Sequence, residues 1–168
     1  TPLEYHKPAL NGKLDFPDNY FQLATSMGAL HHIANVSAVL IEFYRCLAPN
    51  GCMLIREPIV TQGDWRKPRR GLTKNERGIP YRLMQEIVTN IGFRIEHYAL
   101  FDFAPFTRIM ADMGTPAFTS PLATRLDWLL SLLFAFNTKY HRTSLIERFG
   151  PASLALVLRK PVPQTLRI

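Results

Sequence analysis

Short apolar runs alternate along this chain with stretches that carry a helical hydrophobic stripe. The first run, Phe21 to Ser26, follows the turn signal Pro17-Asp18-Asn19, and a second run, Cys52 to Ile55, follows Pro49-Asn50-Gly51. Between them, apolar residues from Val36 to Leu47 recur at steps of three and four, as on one face of a helix. Continuous apolar runs of this length are typical of strands covered on both faces. The alternation therefore predicts an α/β fold.

The same pattern continues towards the C-terminus. A helix is predicted to begin at Pro80 and to end before Gly92, and its apolar side carries Met84, Ile87, Val88 and Ile91. Phe93 to Leu100 and Leu154 to Leu158 are predicted strands. A chain of 168 residues with 47% hydrophobic content is long enough for one such domain and short for two. We therefore treat residues 1–168 as a single domain.

Residues 101–150 interrupt this pattern and are predicted to be a helical insertion. Its most apolar part, Asp127 to Asn137, has about half the roughly twenty residues that a membrane span requires. Four basic residues flank it: Arg125, Lys139, His141 and Arg142. The segment can be a helix in the core or at a dimer interface, a helix lying on a membrane surface, or a lid over an apolar substrate.

The formal net charge of +7 is concentrated after the second strand, at Arg66, Lys67, Arg69, Arg70, Lys74 and Arg77. Such a cluster either attracts anions or forms a solvated loop. No recognisable nucleic-acid module surrounds it, so nucleic acid is not an expected partner. Cys46 and Cys52 form no paired zinc motif, so no metal site is predicted, and we expect both to be reduced residues of a cytosolic protein.

The block Leu14 to Pro58 resembles a signature of the class I S-adenosylmethionine-dependent methyltransferases, of the type 11 kind. In that family a Leu-Pro-Phe-Pro-Asp-x-x-Phe-Asp segment leads into the fourth strand and a Ser-x-x-Leu-His-His segment follows it. An Arg-x-Leu-x-Pro-Gly-Gly segment precedes the fifth strand. The corresponding segments here are Leu14 to Gln22, Ser26 to His32 and Arg45 to Gly51, in the same order and spacing. Three residues differ from the family pattern: Asp15 stands where the family usually has Pro, Gln22 where it commonly has Asp, and Asn50 where it has Gly.

The resemblance implies the fold and the cofactor. It implies a partial Rossmann-like sheet containing strands four to seven, in which the last strand is antiparallel and inserts between the two before it. The helical insertion or lid, residues 101–150, precedes that last strand. The family's glycine-rich turn and ribose-binding acidic residue have no counterpart in this sequence. We therefore expect the C-terminal half of a methyltransferase domain without the N-terminal cofactor-binding strands, and S-adenosylmethionine as the cofactor.

The resemblance also implies which residues lie beside the cofactor. Ser26, Met27, Gly28 and Ala29 follow the fourth strand, and Gly28 allows close backbone approach. The family's adenine-contacting acidic position aligns with Leu10 or Asn11. These six residues are the predicted cofactor-binding residues.

Three residues are predicted to be catalytic. His31 and His32 follow the fourth strand, at the carboxyl edge where open α/β sheets bind ligands, and either can accept a proton from a hydroxyl or an amine. Alternatively, one histidine holds the loop by a local hydrogen bond and the other is exposed. Glu57, at the end of the fifth strand, either orients an acceptor hydroxyl or forms an ordinary ion pair.

Four residues are predicted to bind the methyl acceptor. Arg56 and Arg66 can grip a phosphate or carboxylate with two hydrogen bonds each. Tyr140 and His141, after the hydrophobic segment, offer amphipathic contact surface, although most buried aromatic residues belong to a core.

The leading hypothesis is a methyltransferase for a small-molecule acceptor such as a sugar, a lipid-linked molecule or a quinone-like molecule. The alternative is an inactive methyltransferase-like binding or scaffolding partner. Because a sheet that begins at the fourth strand has an unpaired edge, we expect a homo-oligomer or a second chain that completes the sheet. Cytoplasmic location, with peripheral contact to the inner face of a membrane, is compatible with either hypothesis.

Overall fold

The computed structural model describes residues 3–9, 12–61, 67–69, 71–73 and 76–163. Its helices and strands, in chain order, are β1 (Phe21–Met27), α1 (Val36–Cys46), β2 (Leu47–Pro58), α2 (Tyr81–Ile91), β3 (Arg94–Phe103), α3 (Ala104–Asp112), α4 (Pro121–Leu133) and β4 (Pro151–Arg159). Short 3-10 turns cover Leu30–His32, Ala117–Thr119 and Ile146–Arg148. The order of strands and helices confirms the predicted α/β fold.

The four strands form one sheet in the order β1-β2-β4-β3. β1 and β2 are parallel, whereas β4 is antiparallel to both β2 and β3. The last strand of the described sheet therefore inserts between the two before it, as the resemblance implied. β1 lies at one edge of the described sheet.

The two faces of the sheet are covered unequally. Alternate residues of β2 and β4, among them Met53, Ile55 and Leu156, are buried in one cluster with Leu40 of α1 and Met84 of α2. This is the core. On β1, by contrast, Leu23 and Met27 remain 55% and 54% exposed. A side-chain period of two explains the split, because successive residues of a strand point to opposite faces.

Local sequence signals explain where α1 begins and where α2 ends. The Asn35 side chain accepts a hydrogen bond from the Ala38 N–H and caps α1. Gly92 ends α2 with φ +108°, a left-handed conformation that glycine adopts without strain. Pro80 lies just before α2 rather than inside its first turn. β2 starts at Leu47, so Pro49-Asn50-Gly51 forms an irregularity within the strand and not the boundary that the sequence suggested.

The elements at the start and in the middle of the insertion have other bounds than the sequence predicted. β3 continues to Phe103, and α4 covers Pro121–Leu133 instead of Asp127 to Asn137. Ser120 caps α4 by accepting the Ala123 N–H, and Pro121 occupies the first turn, which fixes the earlier start. No helix among the described residues is long and apolar enough to cross a membrane.

The buried side of α4 is small and polar. Ala123, Asp127 and Ser131 are buried, at the helical spacing of four residues. The large apolar residues of the helix are exposed instead, among them Leu122, Leu126, Trp128, Leu129, Leu132 and Leu133. Of the alternatives for this segment, the structure contradicts a helix buried in the core of this chain, and it does not test the dimer interface, the membrane surface or the lid. The reason is that Asp127 faces inwards, where both its oxygens accept backbone hydrogen bonds.

Candidate active site at the carboxyl edge of the sheet

The chain turns sharply where β1 ends. Gly28 has φ +70°, and its N–H donates to the Arg56 carbonyl oxygen of β2 at 2.7 Å. Ser26 just before it is buried, whereas Met27 is exposed. The 3-10 turn Leu30–His32 follows and carries both histidines to the carboxyl edge of the sheet.

Glu57 holds this turn in place. Its side chain is 1% exposed, and its Oε1 accepts the N–H groups of Ala29 at 3.0 Å and Leu30 at 2.8 Å. Its Oε2 accepts the His31 N–H at 3.3 Å and lies 2.6 Å from His31 Nδ1. Because both oxygens are occupied by the protein itself, the geometry favours a positioning role for Glu57 over contact with an acceptor hydroxyl.

The contact with Glu57 also determines which nitrogen of His31 is available. A carboxylate oxygen accepts hydrogen bonds, so the short contact assigns the ring proton to Nδ1. In the neutral ring, Nε2 then carries the lone pair. A histidine oriented in this way by a carboxylate is the arrangement that general bases use, with the lone pair directed away from the carboxylate.

Glu76 stands opposite the two histidines. Its Oε1 lies 3.7 Å from His31 Nε2, and its Oε2 lies 3.8 Å from His32 Nδ1. The two imidazole rings are 4.1 Å apart between centroids. A hydrogen bond from the Thr73 backbone N–H is the main cause that lowers the pKa of Glu76 below its ordinary value. Sequence reasoning missed Glu76, because it lies in a loop without any periodic pattern.

Two cavities meet at the histidine pair. One, of about 390 Å³, is lined by residues of every strand end at this edge, including Met27, Gly28, Arg56, Asp102 and Ser153. The other, of about 620 Å³, is lined by the start of α1, by residues 77–80 and by Tyr140. His31 and His32 line both cavities. A reacting group on either side therefore has access to the histidines.

Asp102 and Ser153 complete the edge and were also missed. Asp102 has φ +64°; its carboxylate accepts the Thr107 hydroxyl at 2.8 Å and the Ser153 hydroxyl at 3.2 Å. Asp127 of α4 holds the end of β3 in place by accepting hydrogen bonds from the N–H groups of Asp102 at 2.9 Å and Phe103 at 2.8 Å. Burial raises the pKa of Asp127 above its ordinary value, and the two backbone hydrogen bonds oppose that shift.

The predicted acceptor-binding residues are distributed around the two cavities. Arg56 lines the smaller cavity, with its guanidinium 5.5 Å from the centre of the Phe101 ring. Tyr140 lines the larger one, and its hydroxyl donates to the Gly78 carbonyl oxygen at 2.8 Å. His141 is exposed, with its ring 4.8 Å from that of Tyr140. The predictions for Leu10, Asn11 and Arg66 lie outside the described residues.

The family model of a methyltransferase domain matches residues 3–55, which contain the signature segments and the turn described above. Residues 3–55 are thus similar to a class I methyltransferase domain. Solved structures of the same fold include S-adenosylmethionine-dependent methyltransferases, which supports the cofactor that the resemblance implied. Both cysteines are free, with Cys46 buried and Cys52 half-buried.

Solved structures share the methyltransferase fold. An S-adenosylmethionine-dependent methyltransferase from Mesorhizobium loti has a TM-score of 0.52 and 19% identity, covering 91% of this chain and 68% of its own. One from Archaeoglobus fulgidus has a TM-score of 0.53 and 15% identity, covering 86% and 62%. The [4+2]-cyclase SpnF has a TM-score of 0.52 and 19% identity, covering 92% and 54%. The chain thus spans part of each of these proteins.

A curated relative is more similar in sequence over a short segment. The ubiquinone/menaquinone biosynthesis C-methyltransferase UbiE of Neisseria meningitidis is 44% identical over 45 residues, which are 27% of this chain and 18% of UbiE. The presence of a cyclase among proteins of the same fold shows that the fold alone does not determine the reaction. The inactive scaffolding alternative receives no support from these comparisons.

Proposed function

We propose that this protein is part of an S-adenosylmethionine-dependent methyltransferase that acts on a small acceptor, with the acceptor placed beside the His31–His32 pair. The observation that carries the proposal is the 2.6 Å contact between Glu57 and His31. It lies next to the turn at Gly28, and His31 lines both cavities. The resemblance to class I methyltransferases implies that this turn lies beside the cofactor. The sulfonium methyl and the acceptor would then meet within reach of His31 Nε2.

The chemistry needs a proton acceptor when the attacking atom carries hydrogen. Bound S-adenosylmethionine would supply the methyl group, which would pass to the acceptor atom as the sulfur–methyl bond breaks and leaves a neutral thioether. The proton released by the acceptor moves to His31 Nε2 and then to solvent. Glu57 keeps that nitrogen free by holding the proton on Nδ1. Arg56, which lines the smaller cavity, suits an anionic or phenolic oxygen.

A quinone-like acceptor is the substrate class that we favour. The short match to the UbiE C-methyltransferase supports it. A further depression of about 440 Å³ next to Arg56 supports an apolar ring system, because Met27, Leu54, Phe101 and Phe118 line it. A sugar would instead require several polar side chains around its hydroxyl groups.

The proposal is tested on the chain joined to a methyltransferase segment that carries the glycine-rich turn and the ribose-binding acidic residue. This protein is titrated calorimetrically with S-adenosylhomocysteine, and methyl transfer from labelled S-adenosylmethionine to a soluble hydroxyquinol is then measured. We expect micromolar cofactor binding in wild type and in His31→Ala, and loss of methyl transfer in His31→Ala. His97→Ala, an exposed histidine on β3, is the matched control. Absence of cofactor binding, or full activity in His31→Ala, contradicts the proposal.

We further propose that the protein works in the cytoplasm at the surface of an anionic membrane, with the exposed face of α4 as the contact. Leu129 and Leu132 are 52% and 57% exposed, and Arg125 lies on the same helical face because it precedes them by four and seven residues. An apolar face that also carries a basic residue favours a surface with negative headgroups. The net charge of +7 adds to this attraction.

Flotation with vesicles of anionic or neutral lipids tests this contact. We expect binding to anionic vesicles at low salt, weaker binding at high salt, and loss of binding in Leu129→Asp. Light scattering measured without lipid separates the contact from self-association. A dimer that Leu129→Asp dissociates would instead assign the face to a second copy of the chain.

A further inference from the structure

Two imidazoles and one carboxylate converge between the two cavities. The ligand-type atoms of His31, His32 and Glu76 all lie within 4.8 Å of one another. We propose that these three side chains bind one divalent transition-metal ion of the zinc class. The first two ligands are neighbours in the 3-10 turn after β1, and the third arrives from the loop before α2.

The distances suit a shared ion after the side chains adjust. Two ligands that each lie about 2.1 Å from a tetrahedral ion are about 3.4 Å apart. Glu76 Oε1 lies 3.7 Å from His31 Nε2, and Glu76 Oε2 lies 3.8 Å from His32 Nδ1. These two distances need to shorten by a few tenths of an ångström, whereas the widest separation among the three ligand atoms, up to 4.8 Å, needs to shorten by about 1.4 Å. His32 is 43% exposed at its side chain, so its ring can turn without disturbing the core.

Glu57 supplies the support that a metal-binding histidine needs. Histidine ligands commonly donate their second ring N–H to a carboxylate, which fixes the ring and strengthens the metal-binding nitrogen. His31 does so here at 2.6 Å, and this leaves its Nε2 lone pair facing Glu76. Glu57 is itself fixed by three backbone N–H groups. His31 is therefore a pre-oriented ligand.

The surroundings favour a cation and leave it accessible. Glu76 and Glu57 have side-chain exposures of 12% and 1%. Their carboxylate oxygens lie 3.7 Å and 2.6 Å from the two ring nitrogens of His31. Three protein ligands and an open side are the arrangement of ions that also bind a substrate or water. The cavity of about 390 Å³ provides that open side, and Arg56 in its wall suits an anionic oxygen bound to the ion.

The site uses the same histidines as the proposed methyl transfer but does not depend on it. A bound ion would take the Nε2 lone pair of His31, so His31 accepts a proton only in the metal-free protein. Metal binding is measurable without cofactor or acceptor. A failure of one proposal is therefore distinguishable from a failure of the other.

The experiment is a titration of the chelator-treated 168-residue chain with Co²⁺, followed by visible absorption, with Zn²⁺ as the competitor. We expect one Co²⁺ per chain, displaced by Zn²⁺, and at least tenfold weaker binding in His32→Ala and in Glu76→Gln. His97→Ala and Glu86→Gln are controls, since both residues are exposed and lie on other elements, and they should bind as wild type does.

Thermal denaturation of the metal-free variants provides a check on folding. His32→Ala and Glu76→Gln should melt as wild type does without metal, and only wild type and the controls should gain stability when Zn²⁺ is added. Binding that is not stoichiometric overturns the proposal. Equal affinity in wild type, His32→Ala and Glu76→Gln also overturns it.

Discussion

Replacing Glu57 by glutamine tests whether this residue organises the candidate site. The change keeps the size of the side chain but replaces one accepting oxygen with an amide NH₂ group. The remaining oxygen can still accept the N–H groups of Ala29 and Leu30. The NH₂ group then faces the His31 backbone N–H, a donor against a donor, and loses the charge-assisted contact with Nδ1.

The expected cost follows from these contacts. A hydrogen bond to a charged group contributes about 1.5–3 kcal/mol, and a buried donor left without a partner costs about 1–3 kcal/mol. Part of the loss is recovered if the His31 proton moves to Nε2 and Nδ1 accepts from the amide. We therefore expect Glu57→Gln to lower the free energy of unfolding by about 3 kcal/mol. In a domain of this size that lowers Tm by about 6–12 °C.

The assay combines urea denaturation with nitrogen NMR of the imidazole. Wild type should carry the His31 proton on Nδ1, and Glu57→Gln should carry it on Nε2. Glu86→Gln, an exposed glutamate on α2, is the control and should change neither quantity. If Glu57→Gln costs less than about 1 kcal/mol and leaves the tautomer unchanged, the account of Glu57 as the organiser of this turn is refuted.

Three further predictions concern Gly78, Asp127 and Glu96. Gly78→Ala should destabilise the fold by about 1–3 kcal/mol in denaturant titrations, because a Cβ there would lie 2.5 Å from the carbonyl oxygens of both Pro58 and Val60; a stability equal to wild type would disprove the clash. Asp127→Asn should cost about 1–3 kcal/mol, since its NH₂ would face a backbone donor, and hydrogen exchange at Phe103 should accelerate. Side-chain hydrogen bonds from Arg159, the larger cause, and from Arg94 hold the pKa of Glu96 at about 2, below its ordinary 4.5. Because the folded pKa is depressed, this contribution is present above pH 4.5 and is lost as the pH falls towards 2, so the stability difference between wild type and Glu96→Gln should shrink over that range.

The order of strands and helices could be predicted because each apolar pattern reports local geometry. The run at Phe21 and the stripe after Val36 depend only on neighbouring residues. The place of β4 between β2 and β3 came from the resemblance, since nothing in a single apolar run states its partners. The resemblance also led to His31 and His32, and the structure placed both at the carboxyl edge.

The rest depended on contacts between distant parts of the chain. Glu57 accepts hydrogen bonds from N–H groups 26 to 28 positions earlier in the sequence, and no local pattern indicates these hydrogen bonds. Glu76 reaches the histidines from an irregular loop. The buried side of α4 was not predicted, because its leucines dominate the hydropathy. The stripe Ala123, Asp127 and Ser131, at a spacing of four, was the signal that could have revealed the buried side.

The central position of β4 has a consequence for how the sheet is made. Within the described sheet, β3 pairs only with β4, and β2 has β4 as its second neighbour. On a ribosome, β2 and β3 therefore emerge with open edges and wait until the whole insertion and then residues 151–159 have been synthesised. During that interval the nascent chain exposes strands that can pair with another molecule. Early termination within the insertion would leave β3 unpaired, so β4, the last strand of the described sheet to be translated, joins that sheet into one unit.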